Sequence, residues 1–425
     1  MAVDLSVEWM GIKFPNPFII ASTPPASALP GGFKKAAKYG WGGAIHWMAE
    51  TIGTEGGAYH GYIAQGCDFI GEPSSWWAFQ NSVGPRGNWD PRGKELSCSP
   101  ERIEAQIRKA KESGLIVGAN LQERTIPKHW AEVTKAAVRG GADFVEVNWS
   151  CPYVDTTGYD VGANREVRRS SIKAVRENTD LPIMVKLNAS FGKEELAQLT
   201  RDAIEGGANA ISVSNTLRGL IGVDIETGIP LSCELCVDGS FTGQAGGISG
   251  PSIKPMILRA VGEIRKITDL HISGIGGITD WRSAVEYMLM GATTVQIGTG
   301  VMLYGYRLIN QLTRGLTEYM ERKGFKRISD FVGKTTDNYY SPQYIHPIEK
   351  QPRKMIIDEA KCTGCGRCLV ACEASSSGAE ALRIENEVAT INNDRCVTCN
   401  TCRTICPKGA ISVVWEPGRG PKPLF

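Results

Sequence analysis

The residues with the clearest chemical signature are eight cysteines in the last quarter of the 425-residue chain. They form two runs with the spacing C-x2-C-x2-C-x3-C: Cys362, Cys365, Cys368, Cys372, Cys396, Cys399, Cys402 and Cys406. This spacing lets three thiolates bind three corners of one cubane cluster, while the fourth cysteine of each run reaches the other cluster. The pattern therefore predicts two 4Fe–4S clusters, which transfer single electrons and do no bond chemistry themselves.

The same spacing divides the ligands between the clusters. We expect cluster one to use Cys362, Cys365, Cys368 and Cys406, and cluster two to use Cys396, Cys399, Cys402 and Cys372. Zinc is an alternative, but zinc sites are usually built from two separated C-x2-C pairs. Disulfides are a second alternative, which thirteen cysteines in a chain of this length do not favour. We therefore predict a two-cluster bacterial ferredoxin domain over residues 346–425.

Composition gives no sign of a nucleic-acid or membrane partner. Hydrophobic residues make up 42% of the chain, charged residues 22%, and the formal net charge is +2, as in ordinary globular proteins. The N-terminus lacks a basic segment followed by an apolar one, and no apolar run approaches the ~18 residues of a membrane helix. We expect a cytoplasmic protein with reduced thiols.

Residues 1–345 alternate short β-branched runs with helical patterns. The predicted strands are Phe18–Ala21, Ala44–Met48, Ile116–Leu121, Phe144–Trp149, Ile183–Asn188, Ala210–Asn215, His271–Gly274 and Thr294–Gly298. Eight such units favour an α/β fold of the (β/α)8 TIM barrel type. A doubly wound sheet is the alternative, but it gives no reason for eight units. No G-x-G-x-x-G opens a helix after the first strand, so no nicotinamide-binding Rossmann unit is predicted.

Three glycine-rich segments lie at or near the predicted strand ends, where barrel enzymes have their active sites. They are GGISGPS at residues 246–252, SGIGGIT at 273–279 and QIGTG at 296–300. Loops after strands seven and eight commonly hold a phosphate, because backbone N–H groups without side chains can approach it. A phosphate site beside an electron-transfer domain indicates FMN, which can divide an electron pair into single-electron steps.

Several segments together resemble the class 1 dihydroorotate dehydrogenase family, which includes the FMN- and iron–sulfur-containing subunit of bacterial dihydropyrimidine dehydrogenase. The likeness covers nearly the whole chain, including the ferredoxin tail. It rests on DLSVEWMGIKFPNPF, NWSCP at 148–152, MVKLN at 184–188, SNT at 214–216 and HISGIGGITDWRSAVEYMLMGATTVQIGTGVM at 271–302.

The resemblance implies a set of site residues. FMN is expected to contact Ala21, Ser22, Lys186, Gly247, Ser249, Gly250, Gly276, Gly277, Gly298 and Thr299, with Lys186 beside the flavin ring as a catalytic residue. The substrate ring is expected to contact Asn81, Asn148, Asn215 and Thr216. Cys151, in the pattern N-x-S-C-P, matches the family's general acid or base.

The chemistry of Cys151 is consistent with this role. Reducing a C=C bond conjugated to a carbonyl needs a hydride on one carbon and a proton on the other. A thiol, with a pKa of about 8.5, can deliver that proton near neutrality. The alternative is a buried structural cysteine, which a strand-end position followed by proline does not favour.

The sequence departs from the family pattern at several positions. The lysine near the end of strand two is absent, and Trp47 or Glu50 stands there. KLNAS replaces K-x-T-P-N after strand five, and Trp149 replaces a small residue. These changes, with Trp76 and Trp77, indicate either an aromatic mouth that binds a ligand other than uracil or tryptophans that only pack helices. Cys233 and Cys236 form a C-x2-C, either a redox or metal pair or a plain loop.

We therefore expect an oxidoreductase that reduces or forms a C=C bond in a conjugated cyclic carbonyl compound, with a pyrimidine base as the leading substrate. The electron donor is expected to be an NAD(P)- and FAD-binding partner subunit in a hetero-oligomer, or a free ferredoxin. Two alternatives stay open: a reductase of another electron-poor ring or enone, and an electron-transfer subunit without catalysis.

Overall fold

The computed structural model describes the chain with gaps. The described residues are 3–23, 30–49, 65–67, 78–81, 99–123, 126–150, 162–190, 192–220, 222–230, 233–235, 241–243, 246–338, 352–375, 381–417 and 425. The chain divides into two compact units, Met1–Tyr339 and Tyr340–Phe425. The predicted boundary between residues 345 and 346 falls among residues outside the described ones, and it stays a prediction.

The larger unit contains strands and helices in alternation. Its described strands are β1 (Val7–Trp9), β2 (Ile12–Phe14), β3 (Phe18–Ile20), β4 (Gly43–Ala49), β5 (Gln65–Cys67), β6 (Ala78–Asn81), β7 (Ile116–Leu121), β8 (Phe144–Asn148), β9 (Ile183–Leu187), β10 (Ala210–Val213), β11 (Leu217–Gly219), β12 (Cys233–Leu235), β13 (Phe241–Gly243), β14 (Gly246–Ser249), β15 (His271–Ile275) and β16 (Thr294–Ile297). Its described α-helices are α1 (Pro30–Tyr39), α2 (Pro100–Lys111), α3 (Pro127–Arg139), α4 (Arg165–Arg176), α5 (Lys193–Glu205), α6 (Lys254–Arg265), α7 (Trp281–Leu289), α8 (Thr299–Tyr304) and α9 (Leu308–Lys323).

Eight of these strands close into a parallel barrel in the order β3–β4–β7–β8–β9–β10–β15–β16. This order follows the chain, as expected when right-handed crossover helices join successive parallel strands. The predicted TIM barrel is confirmed, and the doubly wound alternative is wrong because the sheet has no edge.

Local sequence explains the helix starts and the buried strands. Ser99 accepts a hydrogen bond from the Arg102 backbone N–H at the start of α2, and Pro100 occupies the first turn. Asp280 caps α7 in the same way by accepting from the Ser283 N–H at 2.8 Å. Strands β8 and β9 are buried at every residue, as expected for parallel strands covered by helices.

An aromatic cluster closes the N-terminal end of the barrel. The hairpin of β1 and β2 places Trp9 and Phe14 against Phe144, the first residue of β8. The ring centroids of Trp9 and Phe144 are 5.4 Å apart in an edge-to-face arrangement, a favoured geometry for aromatic pairs. The opposite end, where the parallel strands terminate, carries polar groups.

The smaller unit is built on two antiparallel pairs. Its described strands are β17 (Arg353–Ile357), β18 (Leu382–Glu385), β19 (Val388–Ile391) and β20 (Ile411–Trp415), and its described helices are α10 (Arg367–Ser375) and α11 (Thr401–Thr404). Strand β17 pairs with β20, and β18 pairs with β19. Across the part of the chain that is described, none of the helices is long and apolar enough to cross a membrane.

Candidate functional site

A buried carboxylate lies inside the barrel and accepts hydrogen bonds from other strands. Glu146 Oε2 accepts from Asn120 Nδ2 at 2.5 Å, and Oε1 accepts from Ser212 Oγ at 2.8 Å and from Gln296 Nε2 at 3.2 Å. The amine of Lys186 lies 3.7 Å from Oε2, and both side chains are buried. These contacts compensate a charge that burial would otherwise destabilise.

Lys186, predicted to lie beside the flavin, stands one residue before the end of β9. In the sheet register it pairs with Asn148, a predicted substrate-binding residue at the end of β8. The structure therefore brings a buried cation and a buried carboxamide together at the carboxyl ends of neighbouring strands. Such a cation can stabilise negative charge that develops on a bound ring.

The carboxamide of Asn148 has one defined orientation. Its Oδ1 accepts from the Ser150 backbone N–H at 3.1 Å and from Ser150 Oγ at 2.7 Å. Because a backbone N–H can only donate, this atom is the oxygen. Its Nδ2 donates to Asn120 Oδ1 at 3.3 Å and to Gln122 Oε1 at 3.2 Å. The whole amide is thus engaged by protein groups, so a substrate contact must replace one of these bonds.

A small antiparallel sheet brings other predicted residues together. Its strand order is β11–β14–β6–β5. Gly247 lies opposite Asn81 in the register, and a Cβ on Gly247 would overlap the side chain of Thr216. Asn215 Oδ1 accepts from the Thr216 backbone N–H at 2.9 Å. Asn215, Thr216, Gly247 and the backbone of Asn81 are therefore close neighbours.

Glycine-bearing loops meet at the same end of the barrel. Thr299 Oγ1 donates to Ser249 Oγ at 3.1 Å, which joins the loops after β16 and β14. A Cβ on Gly277 would lie 2.9 Å from the carbonyl oxygen of Gly250, so the loops after β15 and β14 are in close backbone contact. The φ angle of Gly277 is 68° and that of the preceding Gly276 is 141°. The three glycine-rich segments thus lie together at this end of the barrel.

The loop after β3 lies next to these segments. The Ala21 backbone N–H donates to the carbonyl of Ile297 at 3.1 Å. Ala21 is buried and Ser22 is partly buried. A Cβ on Gly298 would meet the side chain of Thr23, so the loops after β3 and β16 also approach closely. The predicted FMN-binding residues of four loops therefore lie at one end of the barrel.

These residues fit a phosphorylated flavin. The glycine-bearing loops pack closely against one another at this end of the barrel, and loops with a bare backbone suit a phosphate. The buried Nε2 of Gln122 has no hydrogen-bond partner among the described residues, so a polar group is missing beside it. The Lys186 cation lies in the same polar core. Together they suit a ligand with a phosphate and a polar ring.

Cys151, the predicted catalytic thiol, lies in residues 151–161, outside the described residues. The described residues on either side are held by hydrogen bonds. Ser150 bonds to Asn148, as described above, and Arg168 Nη1 donates to the carbonyl of Gly162 at 2.6 Å. The catalytic role of Cys151 stays a prediction.

The tryptophans predicted to lie near the strand ends differ in their surroundings and in whether the structure describes them. Trp149 is buried, and its Nε1 donates to Ser171 Oγ on α4 at 2.9 Å. It therefore packs against the helix layer, as the packing alternative predicts. Trp47 lies on β4 and is partly buried. Glu50, Trp76, Trp77 and Cys236 lie outside the described residues, and Cys233 lies on β12.

Sequence reasoning missed four polar residues of the barrel interior: Asn120, Gln122, Glu146 and Gln296. They lie on or directly after strands that are otherwise apolar, in GANLQ, FVEVN and TVQI. Asn120 and Gln122 are two residues apart, as are Glu146 and Asn148, which places each pair on one face of its strand. This spacing of two residues was the sequence signal that could have identified these side chains as facing the barrel interior.

The smaller unit contains a pocket lined by four cysteines from both runs. These are Cys362, Cys365, Cys368 and Cys406. Ile384, Ala389 and Ile411 contribute apolar walls. The fold thus brings the last cysteine of the second run to the first three of the first run.

A second pocket is lined by the complementary set of four cysteines. Its cysteines are Cys372, Cys396, Cys399 and Cys402, with Met355, Leu382 and Ile391 among the apolar residues that line it. Both groupings coincide with the ligand sets expected for two clusters whose fourth ligands are exchanged. The eight thiols are free of disulfides.

The spacing of these thiols distinguishes a cluster from a single ion. Four sulfurs on one zinc ion all lie about 2.3 Å from it. The four thiols of each set instead surround a cavity, as a larger cubane requires. The zinc alternative is therefore disfavoured.

Backbone N–H groups point at several of these sulfurs. Ala389 donates to Cys362 Sγ at 3.4 Å, Thr398 to Cys396 Sγ at 3.3 Å and Ala410 to Cys406 Sγ at 3.3 Å. Such bonds stabilise sulfur charge and tune the reduction potential of a cluster. Burial raises the pKa of the Cys402 thiol to about 11, so iron binding must displace its proton.

A parallel barrel with a buried polar core at its strand ends, followed by a unit with two thiol-lined cavities, defines a flavin- and iron–sulfur-dependent oxidoreductase. The chain belongs to the dihydroorotate dehydrogenase family, whose sequence profile matches residues 98–320. The profile of the 4Fe-4S dicluster domain matches residues 355–413. The family binds FMN, and the dicluster domain indicates iron–sulfur clusters.

Curated relatives agree with this placement. The chain is 31% identical to the NAD-dependent dihydropyrimidine dehydrogenase subunit PreA of Escherichia coli K12, over 96% of this chain and 95% of that protein. It is also 31% identical to the catalytic subunit of dihydroorotate dehydrogenase B (NAD(+)) of Pyrococcus horikoshii, over 77% of this chain and 97% of that protein.

Proposed function

We propose that the chain is the flavin- and iron–sulfur-containing part of an enzyme that reduces, or forms, the C=C bond of a pyrimidine base such as uracil or thymine. The observation that carries this proposal is similarity to a dihydropyrimidine dehydrogenase subunit over 96% of the chain. The Pyrococcus horikoshii dihydroorotate dehydrogenase subunit matches only 77% of it. The relative that covers both units thus favours a pyrimidine base over dihydroorotate.

The reaction divides between the cofactor and the protein. When bound, FMN would supply the hydride for one carbon of the C=C bond. Cys151 delivers the proton to the neighbouring carbon, so that two electrons and two protons saturate the bond. Lys186 stabilises negative charge at the ring that it contacts. Asn215, Thr216 and Asn81 orient the substrate ring.

Electrons reach the barrel from outside the chain. We place their entry at an NAD(P)- and FAD-binding partner subunit of a hetero-oligomer, or at a free ferredoxin, with passage through two 4Fe–4S clusters in residues 346–425. Two thiol-lined cavities and the absence of G-x-G-x-x-G after the first barrel strand support this path. Eight reduced thiols suit a cytoplasmic setting.

The first test is anaerobic purification followed by an absorbance spectrum, an iron and sulfide assay, and addition of uracil to the chemically reduced protein. We expect flavin bands, about eight irons per chain as two cubane clusters require, and reoxidation by uracil. Flavin and iron without a response to uracil or thymine would redirect the search to other electron-poor rings. Iron without flavin would leave an electron-transfer subunit.

The role of Cys151 has its own test. Cys151→Ala should retain FMN and lose most turnover at neutral pH, while Cys98→Ala, outside both the N-x-S-C-P pattern and the cluster runs, should stay active. Since a thiolate cannot donate a proton, wild-type reduction should slow as pH rises through about 8.5. Full turnover by Cys151→Ala would remove the thiol from the mechanism.

A further inference from the structure

We propose that Gln122 is a ligand-binding residue whose carboxamide donates a hydrogen bond to a carbonyl oxygen of the molecule bound at the mouth of the barrel. Two molecules of the proposed function carry such an oxygen: the flavin ring of FMN and the substrate ring. The inference rests on the proposed function for the identity of these ligands. The donor itself is assigned from the contacts of the protein alone.

Gln122 faces the barrel interior. It follows directly after β7 and lies two residues beyond Asn120, whose side chain reaches the carboxylate of Glu146. Successive strand residues point to opposite faces, so Asn120 and Gln122 share the inner face. The bond from Asn148 Nδ2 to Gln122 Oε1, at 3.2 Å, confirms this direction. The residue is only 2% exposed.

The orientation of the Gln122 amide is fixed from both ends of a hydrogen-bond chain. At one end, the Glu146 carboxylate can only accept, so Asn120 presents its Nδ2 there and its Oδ1 to Asn148. At the other end, the Ser150 backbone N–H can only donate, so Asn148 turns its Oδ1 to it. Both ends force Asn148 Nδ2 toward Gln122, which must accept through Oε1.

The amino group of Gln122 is therefore the part that points away from the network. Its Nε2 is buried and has no hydrogen-bond partner in the described part of the chain. A buried donor without a partner costs free energy, and that cost disappears when a ligand supplies an acceptor. A carbonyl oxygen conjugated to a ring nitrogen is such an acceptor, and both the flavin and a pyrimidine base present it.

Asn148 makes a weaker candidate for this contact. Both of its amide hydrogens and its oxygen are engaged by Asn120, Gln122 and Ser150. A ligand gains a hydrogen bond from Gln122 without breaking one, whereas Asn148 must first release a protein partner. Asn148 thus acts as a positioning residue that holds Gln122, and Gln122 makes the contact.

The test uses Gln122→Glu, which keeps an acceptor for Asn148 but removes the donor, and Gln122→Leu, which removes both. Gln311→Glu is the matched control, because Gln311 also has a buried amide atom without a described partner but lies on the outer helix α9. Two dissociation constants are measured on the full chain: that of FMN for the flavin-free protein, by flavin fluorescence, and that of uracil for the flavin-loaded protein, by the change in flavin absorbance.

We expect both Gln122 variants to raise one of the two dissociation constants by about tenfold or more, which is the effect of losing one good hydrogen bond to a ligand. Gln311→Glu should change neither dissociation constant. Weaker FMN binding assigns the acceptor to the flavin, and weaker uracil binding alone assigns it to the substrate. Unchanged constants in both Gln122 variants would overturn the inference. If wild-type flavin does not respond to uracil, the pyrimidine assignment fails, and the FMN constant alone decides the role of Gln122.

Discussion

Lys186 and Glu146 form a buried ion pair in which each charge depends on the other. The amine and the carboxylate are 3.7 Å apart, and neither reaches bulk water. The pair costs desolvation free energy, so its presence adds little net stability, whereas loss of one member leaves an uncompensated charge. We therefore expect a single substitution to lower the free energy of unfolding much more than the double substitution does.

Glu146→Gln should destabilise the protein by about 3–5 kcal/mol, because the buried Lys186 then loses its partner. The free energy of unfolding from urea denaturation measures this. Glu263→Gln is the matched control: Glu263 is also buried, but its partner Arg259 is partly exposed, so water can solvate the freed charge and the loss should be smaller.

The double variant Glu146→Gln with Lys186→Met tests whether the two charges act as a pair. With both charges removed, most of the stability lost in Glu146→Gln should return. FMN content should be lower than in the wild type, since the cation predicted to lie beside the flavin is gone. A double variant as unstable as Glu146→Gln would show that the hydrogen bonds of Glu146, rather than the ion pair, dominate its contribution.

Gly277→Ala should lower the FMN content of the purified protein. The added Cβ would lie 2.9 Å from the Gly250 carbonyl and force the two loops apart. Gly324→Ala is the control, because Gly324 has a similar φ of 75° but nothing within 4 Å of its Cβ position. Both variants bear the backbone cost of about 1–2 kcal/mol. Equal FMN content in the two would rule out the close approach as the cause.

At the scale of elements, a salt bridge joins helices α4 and α5. Arg168 Nη2 lies 2.6 Å from Asp202 Oδ2, and Arg165 also contacts this carboxylate. Burial raises the pKa of Asp202, but hydrogen bonds from Arg168, Gln198 and Arg165 outweigh this effect and hold the pKa below its usual value. The pair therefore couples the two helices while Asp202 is ionised.

Asp202→Asn should lower the free energy of unfolding at pH 7 by about 3–5 kcal/mol, because Arg168 is left buried without its partner. The carboxyl has a lower pKa in the folded than in the unfolded state, so its contribution is present above about pH 4 and is lost as the pH falls through the folded-state value. Urea denaturation should thus show a smaller difference in the free energy of unfolding between the wild type and Asp202→Asn near pH 3 than at pH 7. An equal difference at the two pH values would contradict a contribution that depends on the ionisation of Asp202.

The barrel strands could be predicted, whereas the sheet of β5, β6, β11 and β14 could not. Barrel strands such as Ile183–Leu187 are mainly apolar runs between clear helices. The mouth strands are three or four residues long and include LRG and GGIS, which carry no alternating pattern. Their pairing depends on contacts between distant segments. For the same reason, the meeting of Gly247, Thr216 and Asn81 was visible only in the structure.

The residues of the candidate site also divide into those that could be predicted from the sequence and those that could not. Lys186 and the glycine-rich loops were predictable, because a motif or a strand end marked them. Glu146 and Gln122 were not, because a polar residue in a buried strand looks like an interruption until its partners from other strands are known. Trp149 was ambiguous because its side-chain direction depends on where the strand ends.

For the molecule as a whole, the expected exchange of the fourth ligand between two clusters predicts how pairs of cysteine substitutions combine. Each of Cys362→Ala, Cys406→Ala and Cys372→Ala should remove one cluster and leave about four irons per chain. Cys362 and Cys406 line one cavity, so their double variant should also retain about four irons. Cys362 and Cys372 line different cavities, so their double variant should lose both clusters.

Iron and sulfide assays with low-temperature electron paramagnetic resonance measure these contents. The opposite pattern, with both clusters lost in the Cys362 and Cys406 double variant, would show that each run binds its own cluster. FMN content should stay unchanged throughout, because the cysteines belong to residues 340–425 and the glycine loops to the barrel unit.

The carboxylate of Glu146 also constrains how this barrel can diverge. It is contacted by side chains from β7, β9, β10 and β16, so four strands share one acceptor. A lone change at any of these positions leaves a buried donor or charge without its partner. We expect relatives to alter Asn120, Glu146, Lys186, Ser212 and Gln296 in concert, as correlated substitutions, while the helices around them drift independently.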